Sequence, residues 1–228
     1  MSSNNREWVN KFRGQWVVIE GPDRIGKTTL INNFVSYLVS NGISEDQIVT
    51  FAFPQRHSAI GTLLSKHLTS EISLDNKTQV LLFLADMQQT YAEILKAQKQ
   101  NKIVICDRYT ASTYSYALAQ RNKDNKDDVS YQWLLGAIGL VTQPDLYIFL
   151  RCEDDYYKEE IIKRHGFGSE RTETEEVQKK VMINMDEYAS HHVNHACRVV
   201  VTLRQGDSPS DVFDKLISRL ELRYTSVG

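Results

Sequence analysis

Five short apolar runs recur along the chain without polar alternation: Trp16 to Ile19, Gln47 to Phe53, Lys102 to Cys106, Leu146 to Leu150 and Arg198 to Leu203. Continuous Val, Ile, Leu and Phe suit strands covered on both faces, as in a parallel sheet. Between the runs lie stretches of helical periodicity. One places Val80, Phe83, Leu84, Met87, Tyr91, Ile94 and Leu95 close to a 3.6-residue repeat. The last opens on Ser208-Pro209, a capping residue and then proline at the first helical position, and carries Val212, Leu216, Ile217 and Leu220 on one face. Strands alternating with helices predict a single α/β domain over residues 1–228, a doubly wound, five-stranded parallel sheet flanked by helices. The stretch from Arg121 to Ser130 reads as a charged loop whose charges form a solvated face.

At 228 residues, 41% hydrophobic and 25% charged, the chain can bury a sizeable core. Its formal net charge of -2 offers no basic excess to neutralise a nucleic-acid backbone, so a long polyanionic partner is disfavoured. No stretch approaches the ~20 apolar residues that span a bilayer. Met1 to Gly14 is polar and mixed in charge, unlike a secretory signal. Cys106, Cys152 and Cys197 share no metal-ligand spacing and fall in or beside apolar runs, as reduced, buried thiols do. These features together predict a soluble, cytoplasmic protein without nucleic-acid or membrane partners.

The sharpest local signal is Gly21-Pro22-Asp23-Arg24-Ile25-Gly26-Lys27-Thr28, a full match to G-x-x-x-x-G-K-[ST] between the first predicted strand and a helix opening near Lys27. Glycines there let backbone N–H groups turn inward around phosphate oxygens, and the helix adds its positive end. Lys27 can neutralise β and γ phosphates, and the Thr28 hydroxyl can ligate Mg²⁺. GTPases, ATPases, motors and small-molecule kinases all use such a loop, so it identifies a nucleotide and not a reaction.

Three further clusters narrow the choice: Phe53-Pro54-Gln55-Arg56 after the second strand, Asp107-Arg108-Tyr109 after the third, and Lys163 to Arg171 after the fourth, with Gly166-Phe167-Gly168 inside it. Ligands of such folds gather at the carboxyl ends of the strands. Arg56 and Arg108 would both project there, and two arginines opposite a nucleotide loop suit a phosphorylated acceptor. That acceptor is already ionised and needs alignment more than a general base. A hydroxyl acceptor would want a carboxylate in reach, and Phe51 to Ser58 contains none, although Asp23 and Asp107 keep that alternative open. The Gly-Phe-Gly hinge within a charged stretch predicts a lid over about 153–171, which favours a functional role for Glu170 and Arg171 over an exposed surface pair.

Taken together, the loop, Phe53-Pro54-x-Arg56, Asp107-Arg108-Tyr109 and Gly166-Phe167-Gly168-x-Glu170-Arg171 resemble the thymidylate kinases, from about Trp16 to Tyr188. The Asp23-Arg24 pair is similar to the eukaryotic and viral type. The resemblance implies a phosphate-loop nucleoside-monophosphate-kinase fold with a small lid, and transfer from ATP to dTMP giving dTDP and ADP. It further implies Mg²⁺ and a homodimer packed through helices. By position it implies that ATP is held by Gly21, Arg24, Ile25, Gly26, Lys27, Thr28 and Thr29, with Arg164 covering the adenine. The acceptor would meet Asp23, Phe53, Arg56, Phe83, Met87, Arg108 and Tyr116. Of these, Arg56 and Arg108 would take its phosphate, Phe83 would stack on its base, and Tyr116 and Asp23 would lie by its sugar. Arg24, Lys27, Asp107 and Arg108 would be catalytic, with Thr28 and Asp107 at the metal. Read from periodicity alone, Phe83 suits the core at least as well as a ligand platform.

Two stretches depart from the pattern. Asp86-Met87 stands where the family has Asn-Arg, whose arginine reads the thymine O4, and Thr172 replaces a lid tyrosine. A thioether cannot supply a strong donor to a carbonyl, so the acceptor base is open to other pyrimidines, and Asp86 could accept from the amine of cytosine. A guanine-nucleotide switch is the rival of another class, because Asn125-Lys126-Asp127-Asp128 spells N-K-x-D. That string should follow an apolar strand and instead follows Leu118-Ala119-Gln120-Arg121, so chance composition explains it better.

Overall fold

The computed structural model describes residues 7–122, 128–152 and 170–225. Five parallel strands, β1 (Trp16–Glu20), β2 (Ile48–Ala52), β3 (Ile103–Asp107), β4 (Leu146–Cys152) and β5 (Arg198–Leu203), form one sheet in the order β2-β3-β1-β4-β5. All five coincide with the apolar runs. The described helices are α1 (Lys27–Ser40), α2 (Ala59–Leu68), α3 (Asn76–Lys99), α4 (Thr110–Ala119), α5 (Tyr131–Ile138), α6 (Glu175–His191) and α7 (Pro209–Thr225).

Alternation along the strands splits the core into two layers. Trp16, Val18, Val104, Cys106, Tyr147 and Phe149 face one side, where α3, α4, α5 and α6 pack. Val17, Ile19, Ile105, Ile148 and Leu150 face the other, under α1 and α7. Coverage on both faces holds for β1, β3 and β4, whose residues are nearly all buried. It fails for the edges: β2 has no fully buried residue and β5 alternates between buried and half-buried. An edge strand has one neighbour, so its apolar run reflects half a sandwich. Among the cysteines, Cys106 and Cys152 are buried, whereas Cys197 is only partly so, beside the β5 edge.

The polar-looking start of the chain contributes to the core. A 3-10 turn over Trp8–Phe12 buries Trp8, Val9 and Phe12 against Phe34 and Tyr224. Lys11 Nζ donates to the Tyr224 carbonyl at 2.6 Å, and the Tyr224 hydroxyl donates to Gln15 at 2.7 Å.

Capping sets the helix starts. Ser58, Asp75, Ser130 and Thr174 each accept a backbone N–H from their own first turn. At α7, Ser208 and Asp211 bond reciprocally, a capping box. The start of α2 is pressed so closely on the preceding loop that a Cβ at Gly61 would lie 1.9 Å from the Gln55 carbonyl oxygen. That contact fixes the loop carrying Arg56.

Phe34 is fully buried between the Trp8–Phe12 turn and the sheet. Phe34→Ala should lose about 3–5 kcal/mol of stability, read as a lower urea midpoint with unchanged slope. A loss below ~1 kcal/mol would show that this aromatic cluster is not part of the cooperative core.

Candidate active site

β1 ends at Glu20, and the chain turns through Gly21 to Gly26 before α1 begins at Lys27, where the motif places it. Gly26 has φ +100°, open to glycine and costly for other residues, and it presents the first turn of α1. Thr28 and Thr29 are exposed there. Lys27 is 6% exposed and curls back on its own loop, donating to the Gly21 and Pro22 carbonyls at 3.0 and 2.7 Å. Burial, and next the charge of Arg108, push its ammonium down to about 8, against the pull of Asp107, Asp23 and Glu20. A buried ammonium resting on two carbonyls is poised to gain from phosphate oxygens.

β3 runs parallel to β1, so Asp107 and Arg108 emerge beside the loop. The Arg108 amide donates to the Ile19 carbonyl at 3.0 Å and its guanidinium donates to the Gly21 carbonyl and Ser112 Oγ, both at 3.1 Å. It also pairs with the Asp23 carboxylate. The Asp107 Oδ1 atom is buried without a hydrogen-bond partner among the described residues.

One cavity is lined by Asp23, Phe53, Arg56, Phe83, Met87, Arg108 and Tyr116, the seven positions expected to meet an acceptor. Its lining joins the cations Arg108 and Arg56 and the carboxylates Asp23 and Glu170 to the apolar side chains of Phe53, Val80, Phe83 and Met87. Phe83 is half-buried and belongs to neither core cluster, which removes the competing core reading. Met87 is 1% exposed and lines the cavity.

Asp23 lines the same cavity. Its carboxylate accepts from the Tyr116 hydroxyl at 2.6 Å and from Gln178 Nε2 at 2.8 Å, while Gln178 Oε1 takes the Asp23 amide at 3.0 Å. Burial opposes ionisation, but Arg108 and Lys27 outweigh it and hold this carboxyl below the usual range.

Asp86 does not face the cavity. It is fully buried and accepts from the Gln55 amide (2.7 Å), Ser58 Oγ (3.0 Å) and Gln89 Nε2 (2.8 Å), so its acceptor capacity is spent on the loop that carries Arg56. Contact with a cytosine amine is thereby excluded for it. The Phe53-Pro54 bond in that loop is cis.

Most of the expected lid, including Arg164 and the Gly166-Phe167-Gly168 hinge, lies outside the described residues. Its end is described, and Glu170 and Arg171 are more than a surface pair. Glu170 pairs with Arg56 at 2.7 Å and Glu173 with Arg24 at 3.3 Å. The Arg171 amide donates to the Leu68 carbonyl at 2.9 Å, and its guanidinium lies 3.3 Å from His67 Nδ1. Thr172 lines the cavity and is 3% exposed. Of the N-K-x-D string only Asp128 is described, and it bonds the Asn122 and Val129 amides away from the phosphate loop.

Gln178 and Glu20 escaped sequence reasoning. Nothing in Glu175 to Val181 singles out Gln178. Glu20 did leave a signal, a carboxylate ending a fully buried strand directly before the loop.

A family model described as thymidylate kinase matches residues 19–213. The thymidylate kinase of Caenorhabditis elegans is 34% identical over 179 residues, 76% of this chain and 77% of that protein. That of Plasmodium falciparum is 29% identical over 203 residues, 89% and 90% of the two chains. Among solved structures, thymidylate kinase from Candida albicans superposes with a TM-score of 0.74 at 28% identity, covering 93% of this chain and 94% of its own. That structure is described as revealing the origin of broad substrate specificity.

His67, 1% exposed, accepts the Leu74 amide on Nδ1 at 3.1 Å. Burial and then Arg171 hold its pKa below 6.5. A group depressed on folding contributes stability above its unfolded pKa and loses it as the pH falls. Stability should therefore drop from about pH 6.5 downward, by at most ~1.4 kcal/mol per pH unit. Urea midpoints between pH 7 and 5 should flatten in His67→Gln; equal slopes in both proteins would refute the assignment.

Proposed function

This chain belongs to the thymidylate kinase family, and from that premise we infer that it transfers the γ-phosphoryl group of ATP to dTMP, giving ADP and dTDP. One observation carries the reading at the level of geometry. A cavity lined by two arginines and by Phe53, Phe83 and Met87 adjoins the phosphate loop, since Arg108, which lines it, also donates to the Gly21 carbonyl.

Each side chain then has a task. The loop amides and Lys27 hold the β and γ phosphates of ATP, and Lys27 exchanges its two carbonyl partners for phosphate oxygens. Arg24, released from Glu173, meets the charge that spreads over the migrating group. Arg108 and Arg56 fix the acceptor phosphate in line, a matter of alignment since its oxygen is already ionised. Phe83 stacks on the base, and Asp23, held by Tyr116 and Gln178, faces the sugar hydroxyl.

Mg²⁺ fits the same place. The orphaned Asp107 Oδ1 and the exposed Thr28 hydroxyl offer two oxygen ligands, and Mg²⁺ in such sites draws its others from phosphates and water. When bound, it would neutralise charge between β and γ phosphates. No group of three or more His, Cys, Asp or Glu able to hold a metal occurs among the described residues, consistent with a metal that arrives with ATP.

We also assign a homodimer, supported by Leu63 on α2 and Leu81 on α3, which are exposed on adjacent helices. A cytoplasmic setting agrees with three free cysteines and the use of ATP. No described helix is long and apolar enough to cross a membrane.

A coupled assay should show turnover of dTMP and little or none of thymidine. Lys27→Ala or Arg24→Ala should lower kcat by a factor on the order of 10²–10⁴ in folded protein. Better turnover of thymidine than of dTMP would overturn the acceptor assignment, and a variant with normal kcat and only a raised ATP KM would overturn the role of that cation.

Met87, standing where the family has arginine, favours a wider acceptor range. Without a charged donor to a buried carbonyl, a site forgoes about 1.5–3 kcal/mol, or one to two powers of ten in discrimination. The protein should separate dTMP from dUMP and dCMP less sharply than Met87→Arg does, measured as kcat/KM for the three. Equal rejection of dCMP by both proteins would show that another residue reads the base.

A further inference from the structure

Glu20 is the one carboxylate wholly inside the described sheet, at 0% exposure, and the transfer chemistry gives it no task. Its position is specific. As the last residue of β1 it adjoins the phosphate loop, and its side chain crosses to the start of α4. Oε1 accepts the Tyr109 amide at 2.7 Å and the Ser112 amide at 3.1 Å; Oε2 accepts the Ser112 hydroxyl at 2.6 Å.

Tyr109 and Ser112 are the N-cap and third residue of α4. Those are the two amides that a helix start usually satisfies from its own first turn. Here Tyr109 supplies no side-chain acceptor and the first turn contains no acid. Glu20 therefore caps α4 from another element. Ser112, having given its proton to Glu20, has lone pairs left, and Arg108 donates to its oxygen at 3.1 Å. The chain of donation runs from Arg108 to Ser112 to Glu20, and three donors converge on the carboxylate. Arg108 also sits at φ +69°, a conformation a non-glycine residue keeps only when its surroundings impose it. The Ile19 carbonyl holds its amide, and the bonds of Glu20 to Tyr109 and Ser112 hold the chain that follows.

We propose that Glu20 is a positioning residue of the acceptor site: by capping α4 and orienting Ser112, it aims the Arg108 guanidinium at the acceptor phosphate and ties that arginine to the phosphate-loop strand. A cap meant only for stability could be supplied locally, as at α2, α3, α5 and α6. From β1, Glu20 adds a second link between the donor loop and the acceptor cation beside the direct bonds of Arg108 to Gly21 and Asp23. The proposal rests on the acceptor reading above for the identity of the bound monophosphate.

Two variants separate positioning from bulk support. Glu20→Gln keeps an oxygen for the two amides but presents an NH₂ to Ser112, so the hydroxyl must turn its hydrogen elsewhere and its oxygen is shared between Arg108 and a second donor. Ser112→Ala keeps the carboxylate and both amide bonds and removes the hydroxyl that joins Glu20 to Arg108 at the cavity wall. Each should raise the dTMP KM, and the dTMP Kd by titration calorimetry, about 10–100-fold, while the ATP KM stays within about twofold. The double variant should be little worse than either single one, since both cut one chain. Ser112→Ala should also leave Tm nearly unchanged, so it decides the matter if Glu20→Gln does not fold. A normal dTMP Kd in Ser112→Ala, or equal losses for ATP and dTMP in Glu20→Gln, would reduce Glu20 to a structural cap. Wild-type protein that binds dTMP without turning it over refutes the transferase reading and leaves this comparison of Kd values standing. Wild-type protein that binds no monophosphate overturns both.

Discussion

The hydrogen bond from the Arg108 amide to the Ile19 carbonyl closes the β1–β3 ladder at its carboxyl end, and the site hangs from it. Parallel pairing sends both strands out on the same side, so the phosphate loop and the Asp107-Arg108 turn leave neighbouring strands about 5 Å apart. An antiparallel pair would have put them at opposite ends of the sheet. The apolar residues of β1, β3 and β4 are thus more than core. By making the register of these strands costly to shift, they set the distance between the two phosphate-binding halves.

A second constraint is electrical. Without substrates, each cation assigned to a phosphate already has an oxygen partner: Arg24 has Glu173, Arg56 has Glu170, Arg108 has Asp23, and Lys27 has two loop carbonyls. Substrate binding is then an exchange of anions, with little change in how many charges are left bare. The Arg56 pair is the easiest to give up, since its arginine side chain is 52% exposed and such pairs hold by about 0–1 kcal/mol. The Arg108 pair is better sheltered and keeps Asp23 ionised. Glu170 and Glu173 share one turn, so surrendering the two arginines loosens that turn from the Arg56 loop and the phosphate loop together, while the Arg171 amide still ties it to Leu68 of α2.

Features that depend on short-range patterns were legible in the sequence. The phosphate loop and its helix start at Lys27 follow from neighbouring residues, and five strands follow from five apolar runs. The convergence of Arg56 and Arg108 on one cavity was readable because parallel sheets gather ligands at one end, whereas Phe83 and Tyr116 followed only from the family resemblance. What stayed hidden depends on partners far along the chain. Trp8 and Phe12 look like strays in a polar stretch until Phe34 and Tyr224 surround them. Gln178 is one amide among charged residues, and only the fold brings it to Asp23, 155 positions away. Asp86 and Met87 are adjacent in sequence, yet one helical step, about 100°, turns the first toward a loop and the second toward the cavity. Sequence could place the pair on a helix without saying which way each pointed.

The stitching of Lys11 and Gln15 to Tyr224 ties the two ends of the described chain together at the amino-terminal edge of β1. All of the proposed chemistry occurs at the carboxyl edge, one strand length away. The protein therefore has a quiet pole and a working pole. An affinity tag or fused domain at either end would hang from the quiet one, and a short linker between the ends would allow the chain to be reopened elsewhere.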